Sequence, residues 1–126
     1  MSSLETPLHK VQGLGAAHSG TGHFWRERLT SAALIPLSLW FAYAVLGVIG
    51  TNEVVVVSFL AHPWNAILMA VFVVISFYHL SLGLQVVIDD YVHTAGTKLV
   101  LRLLVTTVWI AGSLVSVFAL VRIAAL

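Results

Sequence analysis

The chain has 126 residues, of which 60% are hydrophobic and only 9% are charged, and its mean hydropathy is +1.01. These values exclude a water-soluble domain of this size and predict an integral membrane protein. The absence of cysteine excludes disulfides and iron–sulfur ligation, and it leaves histidine as the only strong nitrogen ligand for a metal. The net charge of +1 contains little information about partners, and no nucleic-acid partner is expected.

Residues 1–28 are polar and rich in glycine, and we expect them to form an N-terminal tail outside the bilayer. They lack the short apolar core of a cleavable signal peptide. Their last residues, 24–28, combine aromatic and basic side chains, a usual approach to a membrane helix. The first predicted span covers residues 29–50 and contains Pro36, which can kink a helix because it removes one backbone donor.

Two more apolar spans are predicted, over residues 64–88 and 99–121. The valine-rich residues 54–57 between the first two spans are expected to lie along the interface. Each span of about 22 to 25 residues is long enough to cross a hydrocarbon core of roughly 30 Å. Residues 29–126 therefore predict an all-α membrane protein, a bundle of three transmembrane helices. Since three helices enclose only a small core, we expect the bundle to pack against other membrane helices, those of a second membrane subunit.

Tryptophans and small residues indicate how this bundle is packed. Trp25 and Trp64 are expected to anchor opposite interfaces, whereas Trp40 and Trp109 fall inside spans and are expected to pack. Small residues in the last two spans should allow close helix approach; they are Ser76, Ser81, Gly83, Gly112, Ser113 and Ser116.

The distribution of basic residues predicts the orientation. Three spans place the tail and the loop of residues 89–98 on the same side of the membrane. Only Arg122 lies on the other side, and five of the six Lys and Arg residues lie with the tail and loop: Lys10, Arg26, Arg28, Lys98 and Arg102. The positive-inside rule makes that side cytoplasmic or matrix-facing.

His79 lies about three turns inside the second span, where an ionisable side chain costs on the order of 3 kcal/mol. Gly83 follows one turn later and leaves room for a flat porphyrin beside the imidazole. Two interpretations stay open: an axial ligand of a b-type haem, or a neutral histidine hydrogen-bonded to a neighbouring helix. Since no other histidine lies inside a span, a second axial ligand would have to come from another chain.

Asp90 and Tyr91 end the same span, with Asp89 and His93 beside them. A phenol can donate a hydrogen bond to a quinone carbonyl, and a carboxylate or imidazole can relay the accompanying proton. An ordinary solvated loop with an interfacial tyrosine explains the same residues. Arg28, on the same membrane face, either orients an acceptor there or extends to lipid phosphates.

The spacing of these residues resembles a known family. His79 is followed by Gly83 and Gln85, and after eleven residues by Asp90 and Tyr91. Arg28-Leu-Thr-Ser opens the first span after a glycine-rich segment, and residues 101–104, Leu-Arg-Leu-Leu, start the last. Over nearly its whole length the chain is similar to the smaller hydrophobic membrane anchor of succinate dehydrogenase (respiratory complex II).

The resemblance implies a role for four residues and none in catalysis as such. His79 matches the axial ligand of the haem b iron, whose partner histidine comes from the cytochrome b subunit, the other membrane anchor. Tyr91 matches the tyrosine that hydrogen-bonds ubiquinone, and Asp90 the acid beside it. Arg28 matches an arginine near the quinone and the haem propionates. Asp89 and His93 leave the proton path open.

The resemblance also implies the function. The chain would be a membrane anchor of succinate:ubiquinone oxidoreductase, non-catalytic alone, in the tricarboxylic acid cycle and respiratory chain. Its partners would be the flavoprotein, iron–sulfur and cytochrome b subunits, in a bacterial inner (cytoplasmic) membrane, multi-pass with a cytoplasmic N-terminus. The alternatives are an anchor of a fumarate reductase-type quinol enzyme, or a small non-redox membrane partner in which His79 only packs.

Overall fold

A computed structural model describes residues 6–8 and 20–126. Four helices have both ends within these residues; they are α1 (Gly20–Val48), α2 (Glu53–Ala61), α3 (Pro63–Tyr91) and α4 (Ala95–Ala124). The described residues contain no strand, and α1, α3 and α4 are long and apolar enough to cross a membrane. The prediction of an all-α, three-span bundle is confirmed, while most of the predicted tail lies outside the described residues.

The connection between α1 and α3 is more ordered than the sequence predicts, because its valine-rich part is the helix α2. The Asn52 side chain caps this helix by accepting a hydrogen bond of 3.1 Å from the Val55 backbone N–H. Glu53 in the first turn favours the same start, since a carboxylate offsets the positive end of the helix dipole. Pro63 then opens α3, where its missing N–H leaves no bond unmade.

Helix α3 is the centre of the bundle. It packs against α1 on one side and against α4 on the other, while α2 contacts both α3 and α4. Aromatic pairs join the elements, namely Phe41 with Phe72, Trp40 with Phe59, and Tyr78 with Trp109. The predicted packing roles of Trp40 and Trp109 are confirmed.

Most of the outer surface is apolar and uncovered. The side chains of Trp25 and Trp64 are largely exposed, as residues contacting lipid or another subunit would be. Among the described residues few side chains are buried, and they include the small residues Ser81 and Ser113. The bundle therefore has a thin core of its own, as the sequence predicts, and relies on its surroundings to cover the rest.

Gly112 of α4 allows the Phe77 ring of α3 to pack directly against the α4 backbone. A Cβ atom at this position would lie 2.8 Å from Cε1 and Cζ of the Phe77 ring, a separation at which the ring or the helix must move. Gly112→Ala should therefore destabilise the α3–α4 contact by about 1–3 kcal/mol through overpacking. We expect a lower thermal unfolding midpoint for the purified protein.

The matched control for this substitution is Gly47→Ala in α1, where no atom lies within 4 Å of the added Cβ. Its unfolding midpoint should stay at or above that of the wild type, since alanine favours a helix over glycine. Equal midpoints for Gly112→Ala and wild type would show that Phe77 yields without cost.

Candidate functional site

His79 is joined to helix α1 by a hydrogen bond. Its Nδ1 lies 2.8 Å from Oγ1 of Thr30, and both side chains are half-buried between α1 and α3. The hydrogen bond to a neighbouring helix, one of the two interpretations of His79, is thus present. It occupies only one ring nitrogen, and within residues 20–126 no hydrogen bond reaches Nε2. The two interpretations are therefore compatible.

The surface beside His79 is open at Gly83. A Cβ atom added there would meet no atom within 4 Å, so this position does not serve the packing of the chain on itself. Within the described residues no group of three or more His, Cys, Asp or Glu side chains converges. A haem shared between two chains needs only one nitrogen donor from this one, and an imidazole with no hydrogen bond at Nε2 among the described residues, one turn from the open position of Gly83, fits that requirement.

The two adjacent acids at the end of α3 have different surroundings. Asp89 is bound by two cations of α4: Arg102 donates to its Oδ1 through Nη2 and Nε, and the Lys98 Nζ lies 3.8 Å from the same oxygen. Asp90 has neither an ion pair nor a hydrogen-bonding partner among the described residues, and it is exposed. Asp89 therefore ties the end of α3 to α4, while Asp90 is exposed and has no partner among the described residues.

Tyr91 is the last residue of α3, and 79% of it is exposed. Within the part of the chain that the structure describes, its phenol makes no hydrogen bond. An unpaired phenol at the end of a membrane helix can donate to an incoming carbonyl oxygen. Tyr91 and Asp90 thus form an accessible polar pair.

Arg28 does not contact this pair. Its guanidinium carbon lies 5.0 Å from the centroid of the Phe24 ring on its own helix, a cation–π contact. Arg28 is two residues from Thr30, about 3 Å along the axis, whereas Asp90 is about 16 Å from His79 along α3. Because Thr30 and His79 are paired, Arg28 lies nearer to the depth of His79 than to that of Tyr91.

The other described histidines lie away from His79; His23 is seven residues, about 10 Å along α1, from the Thr30 that pairs with His79. His62 lies between α2 and α3 at the opposite end of the bundle, and exposed His93 follows α3. His23 Nε2 lies 3.3 Å from Glu27 Oε1 on the same helix, without hydrogen-bond geometry. His9 and His18 are outside the described residues. None of the described histidines is placed to be a second ligand beside His79.

Two residues of the site have roles that the sequence did not reveal. Thr30 was part of the motif opening the first span, and Arg102 was one of the basic residues used to orient the chain. Each makes its contact with a residue of another helix, at a distance in sequence that no motif spacing specifies. In the sequence, each role was indicated only by a hydroxyl (Thr30) or a positive charge (Arg102) near the start of an apolar span.

Comparison with known proteins identifies the family of this chain. Residues 2–120 match the family described as the succinate dehydrogenase/fumarate reductase transmembrane subunit. The succinate dehydrogenase hydrophobic membrane anchor subunit of Paracoccus denitrificans is 32% identical over 93% of this chain and 90% of its own length. The protein of the same name from Rickettsia felis is 32% identical over 86% of this chain and 93% of its own length. The one from Rickettsia bellii is 36% identical over 66% of this chain and 66% of its own length.

No solved structure matches the chain. The family match covers all but the ends of the chain, and the match to the Paracoccus denitrificans protein covers nearly the whole of both chains. The resemblance seen in the sequence is thereby confirmed. This multi-pass membrane protein belongs to the succinate dehydrogenase/fumarate reductase transmembrane subunit family, and its relatives are hydrophobic membrane anchor subunits of succinate dehydrogenase.

Proposed function

We propose that this chain is the smaller membrane anchor of a succinate:ubiquinone oxidoreductase, which helps to bind haem b and ubiquinone and docks the flavoprotein and iron–sulfur subunits. The observation that carries the proposal is the arrangement on α3. Within the described residues the Nε2 of His79 makes no hydrogen bond, and the position of Gly83, one turn along, is open. Asp90 and Tyr91, which have no partner among the described residues, lie about 16 to 18 Å from His79 along the helix. The names of the relatives support succinate oxidation rather than fumarate reduction.

For haem b, His79 would supply one axial nitrogen and the cytochrome b subunit the other. When bound, the haem supplies one-electron redox chemistry. The chain's own contribution is to hold the imidazole, to leave space at Gly83, and to place a positive charge near the same depth through Arg28. The register of α1 against α3 favours a role for Arg28 toward the haem propionates over contact with the quinone.

For ubiquinone, Tyr91 would donate its phenolic hydrogen to a carbonyl oxygen and polarise that bond. Reduction to the quinol consumes two electrons, which the iron–sulfur subunit delivers, and two protons. Asp90 is exposed and has no partner in the part of the chain that the structure describes, so it can relay protons from the aqueous side to the site. Asp89 forms ion pairs with Arg102 and Lys98 of α4, so its role would be structural, to hold the end of α3 against α4.

The proposed orientation has the N-terminus in the cytoplasm of a bacterium, with the chain in the inner membrane. Basic residues concentrated on the side of the tail and of the 89–98 loop support it. The flavoprotein and iron–sulfur subunits would then dock on this face, near Tyr91, so that electrons need not cross the bilayer to reach the quinone.

The test of the proposal is a dithionite-reduced minus oxidised optical spectrum of the complex purified through this chain. A b-type band in a preparation that contains the flavoprotein and iron–sulfur subunits would support it. A complex that holds those subunits without a haem band would refute the role of His79, and failure to co-purify with them would refute the anchor function.

The two adjacent acids provide a separate prediction. Asp90→Asn should slow succinate:quinone reductase activity about tenfold or more, because the amide cannot relay a proton. Asp89→Asn should leave that rate within about twofold and lower the thermal stability slightly, since the ion pairs it loses are partly exposed. The two variant complexes are compared by steady-state assays. A larger loss of rate in Asp89→Asn than in Asp90→Asn would assign the proton relay to Asp89 instead.

A further inference from the structure

We propose that Thr30 is the positioning residue of the His79 ligand. Its hydroxyl oxygen accepts the Nδ1 proton of His79, and this keeps the Nε2 lone pair free for the haem iron. The inference rests on the proposed function, since it assigns a residue of this chain to the haem that His79 would bind. It is carried by three contacts of a single oxygen atom.

Thr30 Oγ1 has three polar neighbours. The backbone oxygens of Arg26 and Glu27 lie 2.7 and 3.0 Å away, and the Nδ1 of His79 lies 2.8 Å away. A hydroxyl has one proton to donate, and carbonyl oxygens can only accept. The Glu27 oxygen already accepts a hydrogen bond of 2.8 Å from the Ser31 hydroxyl. The Thr30 hydroxyl therefore donates its proton to the Arg26 oxygen.

The direction of the bond to His79 follows from this count. With its own proton on a carbonyl oxygen, Thr30 Oγ1 meets Nδ1 with a lone pair, so Nδ1 must carry the hydrogen. The opposite assignment would turn lone pairs of Oγ1 toward two carbonyl oxygens at 2.7 and 3.0 Å, which is repulsive. In a neutral imidazole with a proton on Nδ1, Nε2 is the acceptor, and it is the nitrogen that can bind a metal.

The same bond affects both the orientation and the electron density of the ligand. A ring held at Nδ1 cannot rotate freely, so Nε2 has a set direction before haem is inserted. Donation from Nδ1–H to an oxygen also makes the imidazole a stronger base, as partners of metal-bound histidines do. A more basic axial ligand stabilises ferric over ferrous iron, so Thr30 should lower the midpoint potential of the haem.

The experiment is a redox titration of the haem in the whole purified complex, followed by its optical spectrum. Thr30→Val keeps the shape of the side chain and removes the acceptor, so the midpoint potential should shift to a more positive value. Thr30→Ser keeps the hydroxyl, and its potential should match the wild type. Ser31→Ala is the matched control, because it removes a neighbouring hydroxyl that also donates to a backbone oxygen but does not touch His79.

Two results would overturn the role of Thr30: an unchanged potential in Thr30→Val, or an equal shift in Thr30→Ser or Ser31→Ala. If Thr30→Val does not assemble, Thr30→Ala is titrated instead with the same expectations. A wild-type complex without a haem band would contradict the proposed function itself. If the wild-type complex contains haem but its midpoint potential is the same in Thr30→Val, only this inference is contradicted.

Discussion

Replacing His79 with alanine should abolish the b-type haem absorbance of the purified complex. Alanine has no metal ligand, and within the described residues no second histidine is near enough to take over. One axial bond from the cytochrome b subunit would remain, which we expect to be too weak to retain the haem through purification. The measurement is the reduced-minus-oxidised spectrum, scaled to the amount of covalently or tightly bound flavin in the same preparation.

The matched control is His62→Ala at the opposite end of α3. The His62 side chain is exposed and makes no capping hydrogen bond, so its removal should leave the haem content unchanged. A full haem band in His79→Ala would exclude His79 as the ligand. Equal losses in both variants would indicate a general failure of assembly, and would count against the specific role of His79.

Replacing Tyr91 with phenylalanine should reduce the rate of succinate:quinone reductase by about 10- to 100-fold. This corresponds to the loss of one hydrogen bond to a group that gains charge, worth about 1.5–3 kcal/mol. Oxidation of succinate by an artificial dye should remain within about twofold of wild type, because the dye accepts electrons before they reach the quinone. The two assays are run on the same purified complex.

Tyr43→Phe is the control for this substitution. Tyr43 is as exposed as Tyr91, at 78% against 79%, but it lies near the opposite end of the bundle beside α2. It should leave both activities unchanged. Equal reductions of the quinone and dye activities in Tyr91→Phe would show that the substitution impairs the enzyme generally, and the quinone role of the phenol would be rejected.

Much of this protein follows directly from its sequence. The three apolar stretches are long enough to cross a bilayer, where no water is available to hydrogen-bond the backbone. A helix pairs all of its own backbone N–H and C=O groups, so each stretch is expected to be helical. The spacing from His79 to Asp90 and Tyr91 lies within one helix, so the rise per residue sets their separation along α3. The resemblance to the family likewise depends on residue spacing within single helices. The short helix α2 was missed because four consecutive valines show no helical periodicity and the segment has only nine residues.

Contacts between helices were decided only by the tertiary structure. The bond from Thr30 to His79, the pairing of Asp89 with Arg102, and the fit of Phe77 against Gly112 each join residues of different helices. Their formation depends on the relative rotation and axial shift of two packed helices, which no spacing along one helix specifies. The sequence thus determined which groups are available for the proposed haem and quinone, and the packing of α1 and α4 on α3 decided which of those groups are held in place and which have no partner among the described residues.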